Sequence, residues 1–163
     1  MAGRLHGTLG MLELRRDDPQ RAAFHYRAAR SIWLRHFSPG HPDLLRVSIN
    51  LGFALNFVSG GDLEAERVYR ETLEGIVEQG GASQRTELLV RGLLAELLGR
   101  QERFREALEA LLEPESLDLE LAAEVRQWRQ ALQTIVEGPG CVGVGARSQI
   151  TRRCQDAAGR LSS

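Results

Sequence analysis

A period of 42 to 43 residues recurs along the chain and constrains its fold more than any other feature. A short repeated unit cannot bury its apolar face alone, so successive copies must stack on one another. Leu9-Gly10 recurs as Leu51-Gly52 and, weakened, as Leu94-Ala95. Ala22 recurs as Ala65 and Ala107, and Tyr26 as Tyr69 and then Leu111, so four columns shift together across three copies.

Each copy reads as two helices joined by a turn. Apolar positions run through Leu5, Leu9 and Leu12 to about Arg16. Asp18 then offers an N-cap with Pro19 at the first helical position, and a second helix continues through Ala22, Tyr26, Ala29 and Trp33. Ser38-Pro39-Gly40-His41-Pro42 forbids a continuous helix and opens the second copy, with His41 as a turn residue that orients the helix. That copy breaks at Ser59-Gly60-Gly61-Asp62 and closes at Gly80-Gly81. The third spans about Ser83 to Leu98 and Glu102 to Leu112, ending at Pro114. Gly10 and Gly52 fall where the first helix of a pair approaches the second, with Ala22 and Ala65 opposite and a tyrosine ring beside them. A larger side chain at Gly52 is expected to cost roughly 1–3 kcal/mol by overpacking.

Residues 117–136 place Leu121, Val125, Trp128, Leu132 and Ile135 at alternating steps of four and three. Glu120, Glu124, Arg126, Gln127, Arg129, Gln130 and Gln133 take the other face, which makes a one-sided helix suited to capping the last copy. The first copy has no comparable cap. The chain is therefore expected either to be the C-terminal piece of a longer array or to self-associate through its uncapped N-terminal pair. Residues 138–163 are expected to form a Gly-rich flexible tail. Gly138 to Gly143 match G-x-G-x-x-G in form only, because they follow a helix and contain Pro139.

Composition agrees with helices: 25 Leu and 17 Ala stand against 9 Val, 5 Ile and 5 Thr. A net charge of -1 and 42% apolar residues exclude a disordered chain and a polybasic nucleic-acid binder. Residues before the tail carry 17 Arg and 21 acidic side chains, so no salt-dependent nucleic-acid binding is expected. No apolar run approaches the roughly 20 residues of a membrane span, and the first residues lack a secretory signal, so a cytoplasmic location without membrane contact is expected. All 21 basic residues are Arg, a coding bias that points to a GC-rich, bacterial genome.

Chemistry is sparse in this sequence. Cys141 and Cys154 match no zinc or redox spacing and read as free thiols. His25 and His36 stand eleven apart, expected on one face of one helix, without the i, i+4 partner that a two-histidine metal site needs. No phosphate-binding Gly-Lys-Ser/Thr loop, Ser-centred elbow or Cys/His nucleophile pair occurs, so no catalysis, metal or cofactor is expected.

The Leu-Gly, Ala and Tyr columns in a two-helix unit resemble the tetratricopeptide repeat. The 42-residue period, Gly40-His41-Pro42-Asp43 and Asn50-Leu51-Gly52 resemble its kinesin-light-chain variety, common also in bacterial arrays. The resemblance covers about residues 3–112 and is strongest over 41–79. It implies an all-α, right-handed superhelical domain, an α-solenoid, over residues 3–136. The helix pairs lie at about 3–37, 41–79 and 83–112, with the cap at 117–136. It also implies a protein-binding module, of the kind that accompanies bacterial signalling proteins such as Ser/Thr kinases and transcriptional regulators.

In stacked pairs the first helices line the concave face. Ile49, Phe53 and Phe57 repeat every four residues and form one stripe of the second copy's first helix, while Val47, Leu51, Ala54, Leu55 and Val58 form another. One stripe packs on the partner helix; the other either meets a neighbouring repeat or lines an open groove. For the groove reading, Met11, Arg46, Ile49, Asn50, Phe53, Asn56 and Phe57 are the residues expected to hold a peptide or partner helix. Arg4, Arg15, Arg91 and Arg100 are further candidates to meet carboxylates. Thr8, Asn50 and Leu93 precede the repeat leucine in turn, so a clamp for C-terminal carboxylates is not expected.

Overall fold

The computed structural model of the chain describes residues 1–79, 82–111, 117 and 119–137. The expected Gly80-Gly81 stop, Pro114 and the tail 138–163 lie outside the described residues. Among those described there are seven helices and no strand: α1 (Ala2–Arg15), α2 (Pro19–Trp33), α3 (Pro42–Leu55), α4 (Asp62–Gln79), α5 (Gln84–Arg100), α6 (Phe104–Ala110) and α7 (Leu119–Glu137). The chain divides between Ala82 and Ser83 into two compact units. In the first, α1 packs on α2, α2 on α3 and α3 on α4; in the second, α5 packs on α6 and α6 on α7. No helix of the described residues is long and apolar enough to cross a membrane.

Local chemistry sets the helix ends. Asp18 accepts the Arg21 backbone N–H at 3.0 Å, with Pro19 in the first turn, so α2 begins where sequence reasoning put it. His41 caps α3 by the same device, its Nδ1 accepting the Asp43 N–H at 3.2 Å, and its ring is stacked on Phe37 at 3.8 Å between centroids. One expectation fails here. α2 ends at Trp33, so His36 lies in the following turn and does not share a helix face with His25. The Ser38-Pro39 step disfavours helical backbone just ahead, and the chain turns early, with Phe37 N–H on the Trp33 carbonyl.

The repeated glycines and tyrosines meet in the core of the first unit. A Cβ built on Gly10 would lie 2.7 Å from the Tyr26 ring, and one on Gly52 would lie 2.6 Å from Tyr69 Cζ, so each helix crossing is set by a ring lying on bare backbone. Ala22 and Ala65 are fully buried beside them, with Val47, Ala54, Leu55 and Val68. Each fully buried Leu or Val here contributes about 1.5–3 kcal/mol by desolvation. Polar ties add register between copies. Arg27 forks onto Glu64 at 2.7 and 2.6 Å. Arg30 donates to Ser48 Oγ at 3.0 Å and to Glu71 at 2.6 Å, joining α2 to α3 and α4. The hydrogen bonds from Arg27 hold the Glu64 carboxyl below its ordinary pKa.

In the second unit α5 is buried on most sides between Leu88 and Leu98, with Leu88, Val90, Leu97 and Leu98 fully buried. α7 buries Leu121, Val125, Leu132 and Ile135 on one side, as its spacing predicts. Trp128 is half-buried, its ring against Gly92 of α5. Arg129 donates to the carbonyls of Leu108 and Leu111, closing the end of α6.

The two tyrosines differ in their hydroxyls. Tyr69 Oη accepts the Asn56 amide at 3.2 Å, whereas Tyr26 Oη is buried with no partner among the described residues, because Leu14 stands where the next copy has Asn56. Burial holds the Tyr26 phenol above its ordinary pKa, against the opposing charge of Arg46. Removing the unpaired hydroxyl, Tyr26→Phe, is expected to leave stability unchanged or raise it. Tyr69→Phe strands the Asn56 amide and is expected to cost about 1–2 kcal/mol. Parallel urea melts check the pair, and equal losses in both would defeat the argument.

Candidate interaction face

The stripe predicted on α3 divides between core and surface. Val47, Leu51, Ala54 and Leu55 are buried. Phe53 and Phe57 are 38% and 55% exposed, their rings edge to face with centroids 5.2 Å apart. Ile49 and Asn50 beside them are half-buried. α3 ends at Leu55, so Phe57 projects from the turn after the helix, its N–H on the Ala54 carbonyl, and not from the helix itself. Met11 is 50% exposed on α1 and holds the register position of Phe53 one period earlier. α1 and α3 approach each other nearby, where a Cβ on Gly7 would stand 3.7 Å from Val47.

The polar candidates separate into free and engaged groups. Arg46 pairs with Asp43 at 3.0 Å, remains 59% exposed, and has its guanidinium 6.0 Å from the Trp33 ring centroid. Asn56 is committed inward: its Nδ2 donates to Tyr69, and its Oδ1 is buried without a partner among the described residues. Its amide braces the Gly52–Tyr69 crossing. Arg91 is also engaged, bonded to Glu87 and to the Ala110 carbonyl, so it ties α5 to α6. Arg100 lies 3.9 Å from Glu96, a buried carboxyl on α5 whose pKa is raised by desolvation and lowered by that arginine. Arg4 and Arg15 are exposed on α1.

Two features escaped the sequence reading. A cavity of about 500 Å³ opens where α1 begins and α2 ends, lined by Arg4, Ile32, Trp33, His36, Phe37 and Asp43 among others. His6 of α1 and His25 of α2 bring their Nδ1 atoms within 3.1 Å. A contact across two helices depends on their rotation about their axes, which spacing within one helix does not give. Among the described residues no three or more His, Cys, Asp or Glu side chains converge as metal ligands would.

Compared with family models, with curated proteins and with solved structures, the chain matches none.

Proposed function

We propose that this chain is a protein-interaction module of tetratricopeptide-like helix pairs whose first helices, α1 and α3, receive a peptide or partner helix. In this reading it catalyses nothing and serves a bacterial signalling or regulatory assembly. The observation that carries it is the pair of phenyl rings, Phe53 and Phe57, left in solvent next to a well-filled core. Aromatic anchors exposed on the last turn of a helix and in the turn that follows it are what a bound segment buries for affinity. Met11 and Ile49 extend the apolar strip, while Arg46 and Asn50 set register by charge and hydrogen bonding. Asn56 drops out of the binding set, being used inside the fold.

The test is selection of a displayed peptide library on the native chain, followed by affinity measurements with the enriched peptides. Phe53→Glu with Phe57→Glu is expected to weaken binding at least about tenfold with helicity intact. Equal affinity in the variant, or no enrichment, sinks the reading.

A second reading, assembly through the first helix pair, has its own support. Leu5 and Leu12 are 61% and 40% exposed on α1, whereas Val47 and Ala54, the same positions one period later, are fully buried. Light scattering separates the two readings. A mass that rises with concentration and falls in Leu5→Glu favours assembly, and a strict monomer removes it.

A further inference from the structure

The imidazoles of His6 and His25 are placed by close packing of α1 on α2. Gly3 and Gly10, one turn to either side of His6, are where α1 lies against the rings of Trp33 and Tyr26. Ala22 and Ala29, flanking His25 on α2, are fully buried. The spacing between the two helices is thus fixed on both sides of the pair, and Phe24 packs edge-on against the His25 ring. Both imidazoles are half-buried, so solvent reaches them. The repeat itself does not call for them. One period later the same positions hold Ser48, which accepts from Arg30, and Val68, which is fully buried.

We infer that His6 and His25 form a two-imidazole chelating site for a borderline divalent metal ion of the Zn²⁺, Ni²⁺ or Cu²⁺ class. Neutral imidazole suits these ions, and either ring nitrogen can bind them. With metal–nitrogen bonds of about 2.0–2.1 Å, donors 3.1 Å apart subtend roughly 100° at the ion, between the square-planar and tetrahedral angles. The two Nδ1 atoms now face each other along a hydrogen bond, with ring centroids 5.3 Å apart, so the imidazoles must turn for their lone pairs to converge on the ion. In the metal-free pair one Nδ1–H donates to the other Nδ1; with the ion between them both rings carry their proton on Nε2, so a neutral pair binds without net proton release. Water completes the coordination shell, and the open positions admit a donor from outside the chain.

The experiment uses the untagged full chain with Cys141→Ser and Cys154→Ser, because thiolates compete for the same ions. Calorimetric titration with ZnCl₂ and with NiCl₂ is expected to give one ion per chain, bound more tightly than about 1 mM. His6→Gln and His25→Gln should each weaken binding about tenfold or more, while His36→Gln in the turn after α2 leaves it unchanged. In ¹⁵N spectra of the unsubstituted imidazoles, the Nδ1 resonances of both rings should respond to Zn²⁺. That reading decides alone if a variant unfolds. No saturable binding, binding indifferent to either substitution, or an ion on Nε2 overturns the assignment.

Discussion

Gly52→Val is expected to destabilise the chain by about 3 kcal/mol, the upper range for overpacking a filled core. A Cβ at this position would stand 2.6 Å from Tyr69 Cζ and 2.9 Å from Cδ1. The ring cannot swing aside, being fully buried and bonded through its hydroxyl to Asn56. Gly52→Ala meets the same clash but recovers about 1 kcal/mol of helix propensity, so its net loss is smaller. The third copy indicates how the clash is relieved. There the glycine is Ala95 and the tyrosine Leu111, both 4% exposed, so the methyl is accommodated where the ring is gone. Gly52→Ala combined with Tyr69→Leu should therefore lose less than the two single losses added, by about 1 kcal/mol. Gly99 is the contrast, since a Cβ there meets nothing within 4 Å, and Gly99→Ala should stabilise by about 0.5–1 kcal/mol. Urea melts followed by helical ellipticity, with Tyr69→Leu alone included, give all five values. Strict additivity in the double variant, or a Gly52→Val loss below about 0.5 kcal/mol, would remove the glycine–ring account.

Why the Gly–Tyr crossings were legible in the sequence and the histidine pair was not follows from what each depends on. Gly10 with Tyr26 and Gly52 with Tyr69 answer one steric demand twice, and the period prints that demand into the residue order. The turns were equally legible, because Asp18-Pro19 and His41-Pro42 each combine a side-chain cap with a fixed φ in the residues themselves. Where α2 and α3 end was less so. His36 and Phe57 continue a helical spacing in the sequence, but the backbone has already turned after Trp33 and Leu55. The engagement of Asn56 and Arg91 depends on partners 13 and 19 residues away, reached only after two helices have packed. The His6–His25 approach depends in the same way on the azimuths of α1 and α2, which apolar spacing sets only to within a broad face.

Trp33→Ala is expected to cost about 3–5 kcal/mol, the range for emptying a buried aromatic site, while Phe57→Ala should stay within about 0.5 kcal/mol of the native chain. Trp33 is 6% exposed, its indole lies over α1 at Gly3 and Gly7, and Phe37 and Arg46 stand 6.3 and 6.0 Å from it. One side chain thus fastens the first helix pair to the linker and to α3. Phe57 is 55% exposed and leaves no cavity when truncated. The contrast decides how a binding experiment must be read. If thermal melts separate the two substitutions this way, a Phe53→Glu, Phe57→Glu chain that no longer holds a selected peptide has lost a contact and not its fold. A Phe57→Ala loss above about 2 kcal/mol would instead make the rings part of the core, and the binding surface would have to be sought at the exposed leucines of α1.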